Sequence, residues 1–227
     1  MLPGARLQEI AAFIPEGSSV ADIGTDHAYL PVFLVEQKHI TKAVACDVNE
    51  GPCKMAEAAI AAAGMRDQIE LRRGDGLQPL QPGEVEYVTI AGMGGSLMCS
   101  ILEASPEVLE SLSGLVLQPM NAACQLRQWL YEHGWHIERE SLVVEDGRLY
   151  EIIFACPGKC PLPDALALLV GPQLLQQGHP LFSLHIEGIL QQERKILAGM
   201  EQSETAKKSE KYRWVAQKIQ ELEQMKK

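Results

Sequence analysis

The stretch that most constrains this chain is the decade D-I-G-T-D-H-A-Y-L-P, from Asp22 to Pro31. It follows a short apolar run, Ser19-Val20-Ala21, and leads into Leu30, Val32, Phe33, Leu34 and Val35. A strand, a sharp turn at Gly24 and a helix start are the expected elements. Open α/β sheets bind nucleotides at such junctions, because helix amides and the positive dipole end face the crevice beyond the strand ends. The turn is not G-x-G-x-x-G: Asp26 and Ala28 stand where further glycines would be. A carboxylate there repels a pyrophosphate. The sequence therefore points to a nucleotide ligand without phosphates, and S-adenosylmethionine, an adenosine joined to a cationic sulfonium, meets that requirement.

The rest of the chain supplies the sheet. Residues 2–14 carry Leu2, Leu7, Ile10, Ala11 and Ile14 at helical spacing until Pro15-Glu16-Gly17. Strands are expected at Ser19–Gly24, Lys42–Val48, Ile69–Arg73, Tyr87–Ala91 and Gly114–Leu117, each followed by a helix or turn signal. Trp135–Val144 and Tyr150–Ala155, joined by Glu145-Asp146-Gly147-Arg148, read as an antiparallel hairpin at the sheet edge. Parallel units closed by a hairpin predict an α/β fold with a Rossmann-like class I methyltransferase sheet. Residues 1–157 are assigned to it. Beyond Pro161 and Pro163 the pattern changes. A short helix is expected within 164–178. Phe182, Ile186, Ile189, Ile196 and Met200 then form one apolar seam, and Tyr212, Val215, Ile219 and Leu222 another, with Glu193 interrupting the first. The seams predict an antiparallel helical, coiled-coil domain over 158–227.

Charge divides the same way. Residues 1–155 hold 22 acidic and 10 basic side chains, a net of −12, while residues 156–227 hold 8 and 10, a net of +2. A polyanion is at ease only on the second part, where Lys207, Lys208, Lys211 and Arg213 cluster. The six cysteines show no C-x-x-C and no histidine pairing, so reduced thiols in a cytoplasmic protein are expected. The histidines are scattered, and no metal site is expected. No apolar run approaches 18 residues, so neither a membrane span nor secretion is expected.

Candidate site residues sit at the strand ends. Gly24 permits close approach of a cofactor, and Asp22 faces its amino-acid portion. Asp47 lies 23 positions after Gly24, near the ~20 expected for an acid that binds ribose hydroxyls. Asp75 follows the third strand, where it meets an adenine amino group or caps a turn. Thr25, His27, Val48, Gly76, Ala91, Gly92 and Met93 complete the expected cofactor set. The loop after the fourth strand lacks the N-P-P-[YF] signature of many amino-directed adenine methyltransferases. Asp26 suits a helix N-cap. The acceptor-site reading is the one favoured, because methylating a ring nitrogen of adenine creates a cation that a carboxylate stabilises. Tyr29 either packs in the core or stacks on a flipped-out base.

D-I-G-T-D-H-A-Y-L-P, with G-D-G-L (74–77), I-A-G-M-G-G (90–95) and L-Q-P-M (117–120), resembles the bacterial tRNA (adenine-22-N1)-methyltransferase family. The resemblance implies methyl transfer from S-adenosylmethionine to N1 of an adenine in the D-arm region of tRNA. It implies Asp26 and Tyr29 at the target base, with Arg6 nearby. Gln118, Pro119, Lys207, Lys208, Lys211 and Arg213 are taken as tRNA contacts, and a monomer is expected. A methyltransferase for a small-molecule acceptor, and a nucleotide-binding module with a protein-docking helical arm, stay open as alternatives.

Overall fold

A computed structural model describes residues 3–226; Leu2 of the expected N-terminal apolar pattern, Met1 and Lys227 lie outside the described residues. The first unit begins with α1 (Ala5–Ala11), β1 (Val20–Ile23), α2 (Tyr29–Glu36), β2 (Ala43–Asp47), α3 (Glu50–Ala63) and β3 (Ile69–Arg73). It continues with β4 (Tyr87–Met93), α4 (Gly95–Glu103), α5 (Pro106–Ser111), β5 (Gly114–Pro119), α6 (Ala123–Glu132), β6 (Trp135–Glu145) and β7 (Arg148–Pro157). Its seven strands run in the order β3-β2-β1-β4-β5-β7-β6. The first five are parallel, and β7 is antiparallel to both β5 and β6. The chain order reverses between β1 and β4. That switch point opens a crevice at the carboxyl ends of the strands.

Strand alternation sends side chains to two cores. Ala21, Ile23, Val44, Cys46, Val88, Ile90, Leu115 and Leu117 face one layer, with Met98, Leu102, Leu126 and Leu130 of α4 and α6. Val20, Ala43, Ala45 and Val116 face the other, with Ile10, Leu30, Leu34, Ala56 and Ile60 of α1, α2 and α3. Both faces are covered, which is why these strands read as apolar runs rather than alternating ones. Asp22, Asp47, Thr89 and Gln118 lie on the second face and are the polar exceptions; all four are buried.

Two expectations for this unit need correction. The fourth strand does not stop at Ala91: it continues to Met93 through a bulge at Gly92, since Ala91 pairs with Gln118 and Met93 with Pro119. A helix, α5, occupies Pro106–Ser111, where no element was expected; Pro106 stands at its first turn, a position proline favours.

The second unit spans Pro163–Lys227. Its helices are α7 (Ala165–Val170), α8 (Pro172–Gln177), α9 (Phe182–Met200), α10 (Glu204–Lys207) and α11 (Glu210–Met225). Gly171-Pro172 splits the single helix expected in 164–178 into two, because proline cannot donate to the preceding turn. The long helices α9 and α11 run antiparallel: Glu187 pairs with Lys226, Glu193 with Lys218, and Glu201 accepts from Tyr212. Ile186, Leu190, Val215, Ile219 and Leu222 form their core. Ile196, placed in the seam from its spacing, is instead exposed, and Leu190 and Leu197 take the contact.

Candidate active site

A cleft of about 630 Å³ opens at the switch point. Its floor is the turn after β1, which departs repeatedly from ordinary backbone. Gly24, Asp26 and Ala28 have φ of 73°, 51° and 54°. Positive φ in non-glycine residues costs about 1–2 kcal/mol each, so burial and hydrogen bonds must hold the turn. Gly24 and Thr25 donate backbone N–H bonds to the Cys46 carbonyl at 2.8 and 2.9 Å. The Asp26 N–H donates to Asp47 Oδ2 at 3.3 Å. A side chain at Gly24 would point into the cleft and strike the Met93 methyl at 2.2 Å.

Asp22 anchors this turn from inside. It receives hydroxyl bonds from Thr25 at 2.7 Å and from Thr89, its register partner on β4, at 2.6 Å. Burial pushes its carboxyl up from the ordinary range, against the pull of the two hydroxyls. Asp47, at the end of β2, takes the Asn49 N–H on Oδ1 at 2.9 Å and the Asp26 N–H on Oδ2. The Asn49 side-chain amide also donates to Oδ1, at 3.5 Å; a carboxylate has about four acceptor positions, so Oδ2 retains capacity for a hydroxyl donor. The Asp75 side chain is exposed and takes no hydrogen bond from the described residues, so it caps no turn. Val48 and Leu97, both apolar, are half exposed and line the same cleft. Burial pushes the neighbouring Cys46 thiol up to about 12, so it stays protonated.

At the rim, Asp26 exposes 68% of its side chain, with His27 Nε2 at 3.6 Å. It is not a helix cap: Ala28 is the N-cap of α2, and no side chain caps that end. Tyr29 is likewise no core residue, being 56% exposed. Its ring stacks on His27 with centroids 5.1 Å apart and planes 6° from parallel. Arg6 reaches the cleft from α1. Its Nη1 donates to Gln118 Oε1 at 2.6 Å, its backbone N–H donates to Glu145 at 3.1 Å, and its guanidinium lies over the Tyr150 ring at 5.5 Å.

All the expected catalytic and cofactor residues line this one cleft: Arg6, Asp22, Gly24, Thr25, Asp26, His27, Tyr29, Asp47, Val48, Asp75, Gly76, Ala91, Gly92 and Met93. Gln118 and Pro119 do not: both are buried in β5. The bulge frees the Gly92 N–H from the ladder, and Gln118 Oε1 accepts it at 3.1 Å while also holding Arg6. Gln118 thus joins α1 to the β4 loop instead of facing a macromolecule. Leu97 and Ile101 line the cleft without having been singled out; at i and i+4 of an apolar helix they look like core. Glu145 and Tyr150 belong to the hairpin, and nothing local in the sequence ties them to Arg6. On the second unit Lys208, Lys211 and Arg213 are exposed with no ion pair among the described residues, whereas Lys207 is held by Glu204 at 2.7 Å.

Known proteins share this fold. A family described as a methyltransferase domain matches residues 4–153. The tRNA (adenine(22)-N(1))-methyltransferase of Bacillus subtilis is 34% identical over 226 residues, covering 97% of this chain and 95% of that protein. The chain belongs to the tRNA (adenine(22)-N(1))-methyltransferase family. The crystal structure of the Bacillus subtilis family member TrmK has a TM-score of 0.89 at 33% identity, covering 100% of this chain and 99% of that one. The family member TrmK of M. capricolum, solved with S-adenosyl-homocysteine, has a TM-score of 0.83 at 27% identity, covering 99% and 97%. No helix among the described residues is long and apolar enough to cross a membrane, and no group of three or more His, Cys, Asp or Glu there is placed to hold a metal.

Proposed function

We propose that residues 24–29 serve two substrates at once, with S-adenosylmethionine along the strand ends and an adenine of tRNA at the rim. The protein is an S-adenosylmethionine-dependent tRNA (adenine-N1)-methyltransferase acting at adenine 22. The observation that carries the residue assignment is the exposed Asp26 carboxylate, which caps nothing and stands at the mouth of the cleft beside a stacked imidazole–phenol pair.

The residues present fit the cofactor. Asp22, Asp26, Asp47 and Asp75 surround the cleft against the guanidinium of Arg6, which favours a cationic sulfonium and disfavours phosphates. Asp47 accepts from a ribose hydroxyl with the remaining capacity of Oδ2. Asp75 accepts from the adenine amino group, and the exposed Val48 and Leu97 cover the two faces of the purine. Gly24 gives room for the amino-acid portion, beside Asp22, Thr25 and His27. Ala91, Gly92 and Met93 border the reacting methyl group.

S-adenosylmethionine supplies a methyl group on a sulfonium sulfur; the adenine N1 lone pair takes it, the C–S electrons stay on sulfur, and the positive charge passes to the base. Asp26 stabilises that charge as it develops and accepts a hydrogen bond from the adenine amino group. Tyr29, backed by His27, stacks on the base once it leaves the helix. Arg6, fixed by Gln118 and Glu145, takes a phosphate oxygen next to that base. The exposed cations Lys208, Lys211 and Arg213 bind the tRNA body through salt-sensitive phosphate contacts.

The test is incubation with labelled methyl donor and unmodified tRNA, followed by nucleoside analysis. N1-methyladenosine is the expected product. Its absence under single-turnover conditions would end this reading.

A further inference from the structure

We infer that Trp214 is a fixed stacking platform for an unpaired base of the RNA substrate. The chain has three tryptophans. Trp129 and Trp135 are buried, at 8% and 4% exposure, whereas Trp214 is 52% exposed. The core of the helical pair does not use it: Val215, Ile219 and Leu222 supply that face of α11.

One side of the indole is already occupied. Lys218 Nζ sits 3.9 Å from the ring centroid. The same ammonium pairs with Glu193 at 2.7 Å, and the Lys218 and Glu193 side chains are only 11% and 9% exposed. That contact is to Glu193 Oε1; the buried Oε2 has no hydrogen-bond partner among the described residues. Releasing Lys218 would strand a buried carboxylate, a heavy penalty. Glu193 therefore holds Lys218, and Lys218 holds the ring. The indole is held by Lys218 while half of its surface stays open to solvent, which removes most of the ordering cost of binding there.

The surroundings select the partner. Lys211 precedes Trp214 by three residues and Lys218 follows by four, so all three share one helix face, with Glu210 and Gln217 at its borders. Lys208, Lys211 and Arg213 carry no ion pair among the described residues. A held aromatic ring beside uncommitted cations is what single-stranded nucleic acid requires, the ring for a base and the cations for phosphates. The inference rests on the reading that the chain acts on tRNA and adds a second base contact remote in sequence from the cleft.

The test uses the full-length protein. Tryptophan fluorescence is followed during titration with unmodified tRNA in the presence of iodide, and initial methylation rates are measured for wild type, Trp214→Ala and Trp214→Phe. Bound tRNA should shield Trp214 from iodide. W214A should raise KM for tRNA about tenfold, within the roughly 5- to 150-fold that loss of one stacked base produces. kcat at saturating tRNA and cofactor affinity should be unchanged, and W214F should keep most of the affinity. Unchanged iodide access, with W214A within twofold of wild type in KM while wild type methylates tRNA, would overturn the platform and leave the enzyme reading intact. Shielding without N1-methyladenosine would do the reverse. A dimer that W214A abolishes, with KM for tRNA unaltered, would assign the ring to a second copy of the chain and overturn the inference.

Discussion

Replacing Asp26 by asparagine isolates one charge. The residue sits at φ 51°, a region asparagine enters as easily as aspartate. Its backbone N–H, which holds Asp47, is untouched by the change. It caps no helix, and 68% of its side chain is exposed. Stability should therefore move by no more than about 0.5 kcal/mol, or roughly 1–2 °C in Tm. The transition state is different. A carboxylate about 4 Å from the charge developing on adenine contributes ~1 kcal/mol in bulk water and ~4 kcal/mol at the effective dielectric of a partly covered site. The arriving base covers this carboxylate, so D26N should lower the single-turnover rate about 10- to 1000-fold. Calorimetric affinity for S-adenosylmethionine should stay within twofold. A rate loss below about threefold would show that Asp26 stabilises no charge. An equal loss in cofactor affinity would move Asp26 from the base to the cofactor.

Leu97→Ala should weaken cofactor binding about tenfold or more, since covering a leucine is worth about 1.5–3 kcal/mol; its 54% exposure means Tm should hardly move, and titration calorimetry with thermal melts separates the two. Gly95→Ala should cost about 1–3 kcal/mol, or roughly 2–12 °C in Tm, because the new Cβ would lie 2.5 Å from the Ala122 carbonyl oxygen and only backbone can yield. Asp22→Asn tests the buried carboxyl: with its pKa raised in the folded state, the native protein keeps a proton that the unfolded chain releases, so wild type loses stability as pH rises from the ordinary value of 3.8 through the raised one. The Tm of D22N minus that of wild type should grow across that window, and a shrinking difference would mean the site stabilises the ion.

The inner parallel strands were legible because burial on both faces writes them as apolar runs; the edge strand β3, I-E-L-R-R and mostly exposed or half-buried, was read at its observed bounds, Ile69–Arg73. The Asp22–Pro31 decade, Asp47 and Asp75 were legible because chain order fixes which strand ends meet at the switch point. What failed depends on contacts distant in sequence. Gly92 reads as loop, yet the strand bulges there and continues, because Gln118 accepts the displaced N–H. Gln118 could serve as a tRNA contact only if exposed, and its complete burial within β5 leaves no local trace in the sequence. Leu97 has the spacing of a core residue and faces the cleft, since α4 begins at the strand end. Ile196 follows the seam period, but the antiparallel partner settles on Leu190 and Leu197.

The central claim is that this cleft methylates one ring nitrogen at one adenine of tRNA. Two unmodified transcripts of one tRNA, differing only in adenine or guanine at position 22, put it to the test directly. Each is incubated with labelled S-adenosylmethionine, and the methyl group is mapped by fragment mass. The adenine transcript should carry one methyl, on N1 at position 22, and the guanine transcript none. Equal labelling of both, or a methyl on the exocyclic amine, would contradict the account.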